Sequence, residues 1–215
     1  MLAQAVPRGH VCGVDSSAGM IRFARKNFPA VKYPNLSFKV CDARRLNFHG
    51  KFNLAVSFSC LHWVKDHPSV LKGVRRSLKN GGRTFLQFGG KGNAADIVAA
   101  ADKVIAGAQW KKYFRRFVFP WYFYGPAEHR AWVKKAGFKI QRIELVPKHM
   151  VQKTKEDMIG WLKSTWIPYL CRIPARLHDE FAFKVIEEYL KKFPLDESGC
   201  VHALMKRLEV EAIAK

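Results

Sequence analysis

Between residues 9 and 89 the apolar positions alternate between two rhythms. Short runs at 9–15, 36–42, 52–58 and 82–89 are rich in Val, Phe and Leu and predict strands. Within them "LSFKVCD" alternates apolar with polar, and "FNLAVSFS" is more continuously apolar. The intervening segments follow a helical period. Met20, Phe23, Ala24 and Phe28 fall on one face, Arg22, Arg25 and Lys26 on the other, and Ser16 or Ser17 stands where an N-cap belongs. Pro68 suits the first turn of a second helix, for which Val70, Leu71, Val74 and Leu78 form the buried stripe. "KNGG" stops it, with Gly81 or Gly82 in the left-handed turn. This succession predicts a parallel sheet covered by helices, in which the first three strands share one sheet.

The second half has a different pattern. Residues 93–107 read as a helix capped by Asn93, followed by "WKKYFRRFVFPWYFYG", which places nine aromatics between Trp110 and Tyr124. "GPAEHRAWVKKAGF" is a helix closed by Gly137, and 138–146 is a strand. Residues 155–169 and 175–192 read as helical, and 201–213 alternates like the antiparallel partner of that strand. Two helical insertions, roughly 92–125 and 152–198, therefore interrupt a sheet. Neither is flanked by a Gly/Ser/Pro-rich linker, so 1–215 is expected to be one α/β domain carrying a cap.

Charge changes this picture more than size does. The 215 residues carry a net charge of +21, and residues 1–125 hold 21 Lys and Arg against 5 Asp and Glu. Such a surface attracts nucleic acid, anionic lipid or small anions, or is a solvated face with no partner. The five cysteines, Cys12, Cys41, Cys60, Cys171 and Cys200, contain no CxxC pair, so no metal site is expected. Buried free thiols in a reducing cytosol are the expectation. There is no signal-peptide pattern and no apolar run of about 18 residues, so a cytoplasmic location with no membrane partner is expected.

In open α/β sheets, ligands bind at the carboxyl ends of the strands. Asp15, Asp42 and Ser57 stand at three such ends. The two oxygens of Asp15 suit a pair of ribose hydroxyls. Asp42, with the backbone of Ala43, suits an adenine edge, and Ser57 and Phe58 suit the floor. The structural alternatives are that Asp15 only caps the next helix and Asp42 only starts a turn.

"GVDSSAGMIRFARKNFP", "VCDARRLNF", "FNLAVSFSCLHWVKD" and "LKNGGRTFLQFGG" together resemble, in order and spacing, the class I S-adenosylmethionine-dependent methyltransferases, and "SFSCLHWVKDH" most resembles their trans-aconitate methyltransferase-like branch. The resemblance implies a Rossmann-like methyltransferase sheet, parallel strands followed by a C-terminal antiparallel pair, with S-adenosylmethionine as cofactor. It implies that Asp15 binds the ribose, that Ser16 and Met20 lie beside the adenosine, that Asp42 and Ala43 contact adenine and that Ser57 lies near the methionine part. His62 and Trp63 are implied at the mouth, with His62 a possible base. The family's first strand and glycine-rich loop have no counterpart here, and "LAQAV" resembles the tail of its first helix. The absent strand is central in the family. The resemblance therefore implies a gap between the Asp15 strand and the Ser57 strand, and an incomplete cofactor site.

The acceptor is expected to be a small anionic or carboxylated molecule. Arg115, Arg116, Tyr124, Trp166 and Tyr169 are candidate acceptor-site residues from the insertions, although the same aromatics could serve only as the cap's core. An RNA methyltransferase, with bases stacked on Trp110, Tyr113 or Trp121, is an alternative. A catalytically silent binding protein is another.

Overall fold

The computed structural model describes residues 2–215. A short helix α1 (Leu2–Ala5) precedes β1 (Val11–Asp15), α2 (Ala18–Asn27) and β2 (Leu36–Val40). Next come β3 (Phe52–Phe58), α3 (His67–Ser77) and β4 (Leu78–Gly89). Helices α4 (Ala95–Ala106), α5 (Ala108–Lys111) and α6 (Pro126–Lys135) lead to β5 (Phe138–Gln152). Helices α7 (Lys155–Thr165), α8 (Ile167–Leu170) and α9 (His178–Leu190) lead to β6 (Val201–Ala214).

The strands form two sheets. β1 pairs with β2 in parallel from Val11↔Leu36 to Asp15↔Val40. The other sheet has the order β3-β4-β6-β5, parallel between β3 and β4 and antiparallel thereafter. Among the described residues no main-chain hydrogen bond joins β1 to β3. The expectation of one sheet for the first three strands is thus corrected. The hydrogen-bonded ladder breaks between the Asp15 strand and the Ser57 strand, where the resemblance implied a gap.

Two apolar clusters hold the molecule together. In one, Val70, Leu71 and Val74 of α3 and Val133 of α6 cover Leu86, Phe88, Phe138, Ile143, Leu208 and Val210 of the four-stranded sheet. The other is helical: Ile97 and Ala101 of α4, Trp110, Phe114, Trp121, Met158, Leu162, Trp166, Tyr169, and Phe181, Val185 and Ile186 of α9. It reaches the sheet through Val201 and Ala203 of β6. Both helical stretches after β4 and β5 therefore share one core.

Several local expectations shift. Helix α2 buries Ile21, while Met20 and Phe23 stand 54% and 62% exposed; of the predicted face only its C-terminal end is covered, Phe28 packing on Tyr33 and Phe38. Leu78 already belongs to β4, so α3 ends before "KNGG", and the positive φ of Gly81 falls inside the strand segment. Asn93 does not cap α4; its Oδ1 accepts from the Lys206 N–H at 3.0 Å, tying the end of β4 to β6. Pro168 stands in the first turn of α8, a separate turn after α7. None of the five cysteines is buried: Cys60 and Cys171 are exposed and the others intermediate.

Candidate active site at the strand ends

On the β1 side, Asp15 Oδ1 accepts from the Ser17 N–H at 2.7 Å, and Ser17, not Asp15, caps α2 through the Met20 N–H. Among the described residues Asp15 Oδ2 has no hydrogen-bond partner, and Asp15, Ser16 and Met20 are all exposed. An acid at a strand end with one oxygen free suits a diol donor such as ribose. Asp42 is less free. It caps the 3₁₀ turn Ala43–Arg45, and both its oxygens take the Arg44 guanidinium, Oδ2 at 2.5 Å from Nη2. Those hydrogen bonds hold its carboxyl below the usual range. An adenine amino group would have to compete with Arg44 for Asp42, which leaves the Ala43 main chain as the easier contact.

Across the interruption, β3 brings Ser57 and Phe58 to its end, and Phe58 is 52% exposed. Ser59 follows at φ 53°, an uncommon conformation for a residue with a side chain, and turns the chain sharply into the 3₁₀ turn Leu61–Trp63. Cys60 is exposed as a residue, yet packing around its sulfur and the charge of Asp15 push its thiol up. The two sides of the interruption are therefore in electrostatic reach of each other.

His62 is held from two directions. Its Nδ1 accepts from the Gly89 N–H at 3.2 Å, and its carbonyl accepts from the Tyr122 N–H at 2.8 Å. Burial, with the neighbouring His67, lowers it to about 4. Trp63, 45% exposed, meets Trp121 edge-on at 5.7 Å, and Phe123 lies 6.1 Å from His62. The aromatic stretch before α6 thus closes over the ends of β3 and β4. Tyr124 stands here too, donating its hydroxyl to the Lys65 carbonyl at 2.9 Å.

The remaining acceptor candidates lie elsewhere. Trp166 and Tyr169 are buried, packed on Trp121 at 5.2 and 5.7 Å inside the helical core. Rings so enclosed fill the role of the cap's core that the sequence also allowed them, and the buried Tyr169 hydroxyl has no hydrogen-bond partner among the described residues. Arg115 and Arg116 are exposed in the turn after α5, and the Arg115 carbonyl accepts from Arg172.

A buried histidine pair that the sequence reading did not anticipate lies beside the site. His67 Nδ1 lies 2.8 Å from His129 Nε2, and His67 Nε2 lies 2.8 Å from the Leu61 carbonyl. A carbonyl only accepts, so His67 carries its proton on Nε2 and accepts from His129 at Nδ1. His129 then also carries its proton on Nε2, and its buried Nδ1 has no partner. Only the position of His129 four residues before the buried Val133, on one helical face, could have suggested it.

A family model described as a methyltransferase domain matches residues 1–82. The chain is 23% identical over 218 residues to a trans-aconitate 2-methyltransferase of Methylobacterium nodulans, covering 97% of this chain and 79% of that protein. It is 27% identical over 185 residues to a juvenile hormone acid O-methyltransferase of Drosophila melanogaster, covering 81% of this chain but 60% of that protein. In architecture it is similar to a phosphoethanolamine N-methyltransferase of Haemonchus contortus solved with S-adenosyl-L-methionine, with a TM-score of 0.55, 20% identity and coverage of 99% of this chain and 45% of that one. The strand order, the acid ending β1 and these likenesses agree: the chain has a Rossmann-like methyltransferase fold, its residues 1–82 match a methyltransferase domain, and it is similar over most of its length to S-adenosylmethionine-dependent methyltransferases.

Proposed function

We propose that this chain supports methyl transfer from S-adenosylmethionine to a small anionic acceptor, most simply a carboxylate. The observation that carries the reading is that β1 ends in Asp15, with one carboxylate oxygen unpartnered among the described residues, and β3 runs into the His62–Trp63 turn under its aromatic roof, the charge of Asp15 being felt at Cys60. Bound S-adenosylmethionine supplies an electrophilic methyl group on a sulfonium. Asp15 would hold the ribose, the Ala43 main chain the adenine, and Ser57 would border the methionine part. Trp63, Trp121 and Phe123 would exclude water from the acceptor side, and Tyr124 would brace them. A carboxylate acceptor is ionised at neutral pH and needs no base to attack. Two relatives are, by name, methyltransferases of acids, which supports this acceptor class.

Calorimetry with S-adenosylhomocysteine, and a methyl-transfer assay on trans-aconitate, test the reading. Asp15→Ala should weaken nucleoside binding roughly ten- to a hundredfold, the scale of a lost charge-assisted hydrogen bond. Unchanged affinity in Asp15→Ala would remove that residue from the site.

A second reading, an RNA acceptor, is favoured by one recess. Arg44, Lys72 and Arg76 line a cavity of about 280 Å³ beside Ser69 and Gly73, on a chain of net charge +21. RNA affinity that falls steeply with salt, together with methyl transfer to RNA, would favour it over the small acceptor.

A further inference from the structure

His62 invites assignment as a base, because it is a histidine at the site's mouth. Its surroundings argue otherwise. A backbone N–H is an obligatory donor, so the Gly89 N–H at 3.2 Å requires a lone pair on His62 Nδ1. In the neutral ring the proton must then sit on Nε2. Among the described residues this nitrogen has no hydrogen-bond partner, and it is not among the buried unpartnered atoms, so it is accessible to solvent beside the ends of β3 and β4.

The ring cannot easily turn over to exchange these roles. Gly89 is wedged at the end of β4, where even a Cβ would meet Phe123 at 2.7 Å and the Asn93 amide at 2.9 Å. The His62 carbonyl is fastened to Tyr122, and Trp63 and Phe123 stand beside the ring. Among the described residues no carboxylate hydrogen-bonds to it that would stabilise an imidazolium. His67, whose charge would repel one, is itself committed to Leu61 and His129.

We propose that His62 is a fixed, neutral hydrogen-bond donor to the methyl acceptor, offering Nε2–H to an anionic oxygen, and that it is not the base of the reaction. This rests on the methyltransferase reading above and adds a selection rule. A donor that cannot become an acceptor at Nε2 favours carboxylate oxygens and disfavours ammonium groups, which bring only donors of their own. On an acid with two carboxylate oxygens, one oxygen accepts from Nε2–H while the other is left to attack.

Nitrogen-15 NMR of histidine-labelled protein reads the tautomer directly, with the His62 signals assigned by their loss in His62→Asn. The expected result is a proton on Nε2 and none on Nδ1 from pH 5 to pH 8. Titration with trans-aconitate or decanoate should move the Nε2 signal. His62→Gln, which carries an N–H to about the same reach, should bind the probe near the wild-type level. His62→Asn, which keeps an acceptor for Gly89 but lacks the far donor, should lose roughly ten- to a hundredfold. A proton on Nδ1, an imidazolium above pH 6, or an Nε2 signal unmoved by either carboxylate overturns the proposal. Methyl transfer rising with pH through a single limb between 5 and 8, and abolished alike in both variants, would restore His62 as a base. If the tautomer and the carboxylate shift hold while no methyl is transferred, the donor stands and the enzymatic reading is what fails.

Discussion

At the scale of single residues, the buried histidines set the response to acid. Burial, with the nearby His67, lowers His129 to about 3, and burial lowers His67 as well. The unfolded chain therefore binds protons that the folded chain refuses. The stability this confers is intact above the ordinary histidine range and is lost progressively as pH falls from about 6.5 towards the folded value. The expected slope is about 1.4 kcal/mol per pH unit for each histidine that must stay neutral. His129→Gln keeps a donor for His67 Nδ1 but does not titrate, so its unfolding free energy by urea titration should fall less steeply between pH 6 and pH 4. An identical slope in the two proteins would place the acid sensitivity elsewhere. This pair was invisible in the sequence because nothing in the identity of a histidine records whether it will be buried. Asp15 and Asp42 were legible because strand ends can be read from local pattern. That Arg44, two residues on, occupies both Asp42 oxygens was not.

At the scale of elements, strands were read more reliably than the faces of helices. A strand's alternation is local, whereas a helix's buried stripe depends on what lies beneath it. Helix α2 shows this: Phe23 sits on the more apolar stripe, yet Ile21 is the residue buried. Strand β5 runs past 146, the limit expected from its alternation, and Pro147 does not end it. That proline lies instead opposite Lys206 in an antiparallel ladder that continues to Gln152. The glycine with the least room is Gly90, where an added Cβ would meet Leu145 at 2.5 Å and the Leu208 Cβ and main-chain nitrogen at 2.9 and 3.0 Å. Backbone cannot yield as a side-chain tip does, so Gly90→Ala should cost about 1–3 kcal/mol. Thermal unfolding followed by circular dichroism checks this, and a melting temperature within a degree of the wild type would show that the β4–β6 junction has slack. Gly160→Ala is a fit control, since nothing lies within 4 Å of its added methyl.

At the scale of the whole molecule, cohesion is uneven. β6 is paired on both sides and packs through Leu208 and Val210, whereas β1 is paired on one side and buries no residue fully. Amides of Val11–Asp15 should exchange with solvent well before those of Leu208–Ala212, because protection follows burial and pairing. Equal protection would mean that the two sheets open as one unit. The same unevenness bears on the cofactor. On the proposed reading Asp15 holds the nucleoside, while among the described residues no main-chain hydrogen bond joins β1 to β3 where the methionine end would lie. Fold class and strand order were legible because they repeat a local rhythm. The break was legible only through the family resemblance, since hydrogen bonding between distant strands leaves no mark on either one.

The break has a colloidal consequence. β1 and β3 each present an unpaired edge, with Val14, Leu54 and Phe58 exposed along them, and such edges pair readily with those of neighbouring molecules. What stands against that here is charge. Arg22, Arg25, Lys26, Lys39 and Lys51 are exposed on the same stretch of chain, in a protein of net charge +21. Mutual repulsion of that size keeps copies apart over about 10 Å at 0.1 M salt and over only about 3 Å at 1 M. Added sodium chloride should therefore clump this protein rather than disperse it. Light scattering should rise with salt, and Leu54→Lys should blunt the rise.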